Sequence, residues 1–133
     1  MAVNNPYQAY QQNSLNTASP GELTLMLYNG CLKFIHLAKV AMQAKNIEEK
    51  NTNLIKAQKI IQEFMVTLNM DIPVSKDLMA MYDYLNRRLM EANLKNDVAI
   101  LDEVSGFVTE YRDTWKQVIK INRQKQFAQG GQA

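Results

Sequence analysis

The chain has 133 residues, 47% of them hydrophobic, with 15 basic and 13 acidic side chains and a net charge of +2. That length holds one domain with a real core, and the interspersed charges exclude the basic footprint of a nucleic-acid binder. Cys31 is the single cysteine, which excludes an intrachain disulfide and fits a reducing compartment.

The chain opens on "NNPYQAYQQNSLNTASPGEL", almost all Asn, Gln, Ser, Thr and Ala. No basic residue is followed by an apolar stretch, as a signal peptide requires. No run reaches the roughly 20 apolar residues that span a bilayer. A cytosolic location without membrane insertion is expected. Residues 1–18 read as a mobile N-terminal arm. Tyr7 and Tyr10 stand out in it as two large aromatic anchors with polar tips. They serve either as a fixed cap on the chain's own bundle or as a movable cover for an apolar groove.

The first helix is announced by "SPGE". Ser19 caps, Pro20 suits the first helical position, and Glu22 completes a capping box. The helix then runs to about Ala44. Leu23, Met26, Leu27, Gly30, Phe34, Leu37, Ala38 and Ala41 share one face at the helical period. A second stripe lies opposite, formed by Leu25, Tyr28, Leu32 and Ile35. Three arrangements explain it: a helix buried on two sides, a homodimer seam, or a groove for another protein's helices.

The second helix follows Asn46, a cap with Glu49 three residues on. Its stripe is Leu54, Ala57, Ile61, Phe64, Met65 and Leu68. It ends before "MDIPVS", because Pro73 disfavours helix at Ile72. The third helix starts at Ser75, with Leu78, Met81, Tyr82, Leu85, Leu89 and Ala92 on its core face and Met79 and Met90 off it. Methionine is flexible and polarizable, suiting adaptable surfaces as well as cores.

Asp97 can cap the fourth helix, whose stripe is Leu101, Val104, Val108, Tyr111, Trp115 and Ile119. Ile100, Phe107 and Val118 broaden that stripe to one side. The pattern fades near Ile121, and Lys116, Lys120 and Arg123 suit the negative C-terminal end. Residues 123–133 are expected to be a disordered tail. Four helices with short loops predict an all-α, antiparallel up-down-up-down four-helix bundle over residues 19–122.

Catalytic constellations are missing from the pattern. His36, the single histidine, follows Lys33 by three residues, so the Glu-x-x-His of di-iron bundles fails. One His and one Cys do not make a structural zinc set. There is no Gly-rich phosphate loop and no nucleophile–base pair. Acids such as Glu48, Glu63, Glu91 and Asp102 interleave with lysines and arginines, as solvated faces do. The reading is therefore a binding protein, not an enzyme, with no metal or cofactor. Its candidate partner-binding residues are Tyr7, Tyr10, Leu25, Tyr28, Leu32, Ile35, Met79, Met90, Ile100 and Phe107.

The stretch "NPYQAYQQNSLNTASPGELTLMLYNGCLKFI" resembles the N-terminus of the bacterial flagellar secretion chaperone family FliS. That family pairs Tyr-x-x-Tyr, here Tyr7 and Tyr10, with Thr-Ala-Ser-Pro, here Thr17 to Pro20. Leu-x-x-Met-Leu-Tyr-x-Gly follows as Leu23, Met26, Leu27, Tyr28 and Gly30. The likeness continues in "NLIKAQKIIQEFMVTLN", "LMAMYDYLNRRLMEANLKND" and "LDEVSGFVTEYRDTWK", the last containing Trp115, and covers about residues 4 to 120. One departure is "MDIPVSK", where family members often carry glycine.

The resemblance implies an antiparallel helical bundle that binds the disordered C-terminal segment of flagellin in the cytosol. Such a protein keeps flagellin from polymerising early and delivers it to the type III export apparatus through the gate protein FlhA. The alternative is a self-associating structural bundle whose extra stripe is a homo-oligomer interface, with a homodimer in the absence of client.

Overall fold

A computed structural model describes the backbone of residues 20–130 and the side chains of residues 21–125. It contains α1 (Pro20–Gln43), α2 (Ile47–Thr67), α3 (Val74–Lys95) and α4 (Val98–Gly130), and no strand among the described residues. Each helix packs on its neighbours in sequence, and α4 closes the ring on α1. The short connections force each helix to reverse direction, giving the expected antiparallel bundle.

The helix ends have local causes. Lys45 takes a left-handed conformation at φ 60°. The Lys45 amide then donates to the Met42 carbonyl oxygen and the Asn46 amide to that of Ala41, a Schellman closure of α1 made without glycine. Asn46 caps α2 as expected, its side chain accepting from the Glu49 amide at 3.1 Å. The reciprocal half of that capping box does not form, because the Asn46 amide is already committed to Ala41.

Asn96, at φ 53°, ends α3 in the same left-handed way, with the Asp97 amide donating to Ala92. Asp97 then caps α4 by accepting from the Ala99 amide at 2.9 Å. The predicted Ser19 cap lies outside the described residues. Two boundaries differ from expectation. The third helix begins one residue early, at Val74, because Pro73 itself adopts helical angles and its locked φ suits a helix start. The last helix extends to Gly130, past Ile121, where its apolar stripe fades.

The core runs through all four helices: Cys31, Ala38, Leu54, Ala57, Ile61, Leu85, Leu89, Leu101, Val104 and Val108 are fully enclosed. The predicted stripes of the second, third and fourth helices face this core. Two polar contacts stabilise it. Lys50, 5% exposed, sends its ammonium to the Asn93 carbonyl oxygen at 3.2 Å and to the Asn96 side-chain oxygen. A cation thus sits on the negative end of α3. Trp115 Nε1 donates to the Gly21 carbonyl oxygen, tying α4 to the first turn of α1.

Candidate partner-binding site

The second apolar stripe of the first helix is corrected at two of its four positions. Tyr28 and Ile35 are buried in the bundle's own core. Helix α1 packs against both α2 and α4, so it needs apolar residues on two sides rather than one. Leu32 is half-buried against the same core. Leu37, assigned to the core stripe, is exposed instead. Leu25 is half-buried and lines a shallow groove of about 410 Å³ with Ile119, Lys116 and Lys120.

The other predicted positions scatter. Ile100 is buried and belongs to the core, because α4 meets α1 and α3 over a wide face. Phe107 packs edge-on to Tyr84 beside Met81 and Ala80. Met79 is half-buried and Met90 is exposed. Tyr7 and Tyr10 lie outside the described residues.

The most developed recess is at the end of the bundle where α1 begins, α2 ends and α3 begins. It encloses about 580 Å³. Its walls come from all four helices: Thr24 and Tyr28 of α1, Phe64 of α2 with Leu68 just after it, Leu78 and Tyr82 of α3, and Tyr111, Trp115 and Val118 of α4. No charged residue lines it. The connecting segment forms the rim, where Ile72 and Val74 are 48% and 55% exposed. Apolar groups of this size left in water are a destabilising surface unless something covers them.

Aromatic rings build the floor. Phe64 lies 4.6 Å from Tyr28 and 5.5 Å from Tyr82, centroid to centroid, and Tyr111 closes the cluster 6.1 Å from Tyr82. Such offset and edge contacts are favourable beyond area burial. The hydroxyls of Tyr28 and Tyr82 share a 2.7 Å hydrogen bond across the diagonal of the bundle. Burial pushes both hydroxyls up from the ordinary phenol range, Tyr28 further through its neighbour Tyr82, so both keep their protons.

Of the predicted binding residues among the described ones, Tyr28 alone reaches this recess. Phe64, Leu68, Leu78, Tyr82, Tyr111 and Trp115 were read from sequence as core stripe, and Val118 as broadening it. The available signal was the set of large aromatic residues, Phe64, Tyr82, Tyr111 and Trp115, on the core faces of three successive helices. On the opposite edge of α1, Phe34 is flanked by the Lys33 and Lys56 ammonium groups at 5.9 and 5.5 Å from its ring. No group of three or more metal-ligating side chains, and no helix long and apolar enough to cross a membrane, occurs among the described residues.

The family model for flagellar protein FliS matches residues 3–122. The flagellar secretion chaperone FliS of Bacillus subtilis (strain 168) is 60% identical over 131 residues, covering 98% of each chain. The chaperone of the same name from Escherichia coli (strain K12) is 35% identical over 117 residues, covering 83% of this chain and 86% of that one. A crystal structure of a flagellar chaperone from bacteria superposes with a TM-score of 0.71, covering 86% of this chain and 95% of that one. At 20% identity, this last match speaks to the fold alone.

Proposed function

The chain belongs to the FliS family of flagellar secretion chaperones, and from that premise we propose that it binds the C-terminal segment of flagellin and holds it until export. The observation that carries this reading is the uncharged recess of about 580 Å³ with an exposed apolar rim. A disordered, amphipathic client gains by burying apolar side chains there, while its ordering entropy keeps the affinity moderate and release feasible. Export then follows by hand-off to the gate protein FlhA, with no nucleotide site required.

The N-terminal arm has a place in this scheme. Helix α1 begins at Pro20, and Thr24 one turn later already lines the recess. The residues before Pro20 therefore join the bundle close to this recess in sequence. Tyr7 and Tyr10 cover apolar surface in the free protein and are displaced by flagellin. Replacing both by Ala changes client affinity or export while helix content stays constant. Unchanged binding and export would remove the arm from the mechanism.

The central test is direct. Full-length flagellin and flagellin lacking its C-terminal segment are titrated against the chain, with Trp115 emission as one readout, since Trp115 forms part of the wall. Binding is lost with the segment, and Leu78→Asp or Val118→Asp weakens it at least tenfold. Undiminished binding of truncated flagellin would sink this mode. Sedimentation separates the alternative: a tight dimer that flagellin does not dissolve would make the apolar surface a seam between copies.

A further inference from the structure

The floor of the recess carries more hydrogen than its own bonds use. Tyr28, Tyr82 and Tyr111 each bring one O–H donor. The Tyr28–Tyr82 bond consumes one of these hydrogens, whichever oxygen donates. The second hydrogen of that pair has no acceptor among the described residues, and all three rings line the recess. A buried donor without an acceptor is costly, whereas one satisfied by a bound partner contributes to affinity and to selectivity.

The surroundings restrict what the acceptor can be. No charged side chain lines the recess, so a carboxylate entering it would lose its hydration without gaining a counter-ion. An Asn or Gln amide would bring two N–H donors with its acceptor; the Phe64, Leu78 and Val118 walls offer them none, which leaves only Thr24, Thr67, Asn69, Ser75 and Thr114 to receive them. A main-chain carbonyl oxygen brings an acceptor and no donor. Unpaired carbonyls occur in the last turn of a helix, where four have no intrahelical partner.

We propose that the Tyr28–Tyr82 pair, with Tyr111 beside it, is a donor site that receives the free main-chain carbonyls at the C-terminal turn of an apolar client helix. The proposal rests on the flagellin-binding reading and makes it specific. The recess does not merely bury apolar side chains. It selects a segment whose helix ends inside it.

The probe is the flagellin C-terminal segment as a peptide, titrated calorimetrically against the intact chain. Tyr28→Phe and Tyr82→Phe alone each leave one hydroxyl free to donate, so each weakens binding by no more than about threefold. The double variant removes the pair's donor, leaving only the Tyr111 hydroxyl, and weakens binding about five- to tenfold, while thermal stability holds or rises because the pair's unpaired hydrogen is gone. A second arm leaves the protein intact. Single ester-for-amide replacements are walked through the peptide's helical ends, weakening one carbonyl acceptor at a time. An ester in the last turn of one helix weakens binding to the parent chain and has no effect on the double variant.

Equal affinity of parent and double variant would overturn the donor site while leaving flagellin binding intact. So would an ester effect of the same size in both proteins. Failure of the parent chain to bind the segment at all would instead overturn the reading on which the site rests.

Discussion

The indole nitrogen of Trp115 donates a 2.7 Å hydrogen bond to the main-chain carbonyl oxygen of Gly21, joining the body of α4 to the first turn of α1. Thr24, one turn further along α1, and Trp115 itself both line the recess, so this bond fixes the α1–α4 edge of the site. Trp115→Phe keeps most of the ring and loses the donor. It is expected to lower unfolding stability by about 1 kcal/mol in urea titrations followed by circular dichroism. A Cβ added at Gly21 would meet the Ile119 side chain at 3.5 Å, an ordinary contact, so Gly21→Ala is expected to be neutral in the same titration.

Lys50 is a nearly enclosed cation whose hydrogen bonds run to Asn93 and Asn96, at the end of α3. Lys50→Met removes the donor and leaves these acceptors unpaired. A loss of about 1–3 kcal/mol is expected. Asn96→Gly keeps the left-handed turn but deletes the side-chain acceptor. The two substitutions together should cost less than their sum, and strict additivity in a double-mutant cycle would argue against the cap.

The Arg88 guanidinium and the Tyr84 hydroxyl hold the Glu103 carboxyl below the usual carboxylate range, and Lys95 and Arg88 do the same for Glu91. A depressed folded-state pKa gives stability that is complete above the unfolded value of about 4.3 and is lost as pH falls through the folded one. Stability is therefore expected to drop on acidification below about pH 4.3. Glu103→Gln should flatten that acid limb. Because these groups are solvent-accessible, added salt should shrink the difference.

Cys31 is fully enclosed, its Sγ 3.9 Å from the Ala57 carbonyl oxygen, and burial pushes its thiol up to about 12. The thiolate is the reactive form. A thiol reagent at pH 8 should leave the native protein unlabelled and modify it only as it unfolds. Fast stoichiometric labelling of the folded chain would contradict this burial.

The four helices were legible because their causes are local. The apolar residues recur at the helical period, and Asn46 and Asp97 cap from adjacent positions in the chain. The family was legible too, since its motif residues lie in order along one strand of text. The binding residues were less so. Leu25, Tyr28, Leu32 and Ile35 share one angular sector of α1, yet the structure sends Tyr28 and Ile35 into the core and leaves Leu25 and Leu32 half-buried. Periodicity gives the direction in which a side chain points. It does not say how many neighbours a helix has on that side.

Period and capping chemistry act within a few residues, so they determined helix number, most boundaries and the antiparallel order. The recess is a property of four helix ends at once. It exists because α2 stops at Thr67 and the segment before Val74 crosses without filling the gap above Tyr28, Tyr82 and Tyr111. Those residues lie up to 83 positions apart, Tyr28 to Tyr111. Only packing in three dimensions could bring a tyrosine of the second stripe of α1 together with two core-stripe tyrosines as the floor of a site.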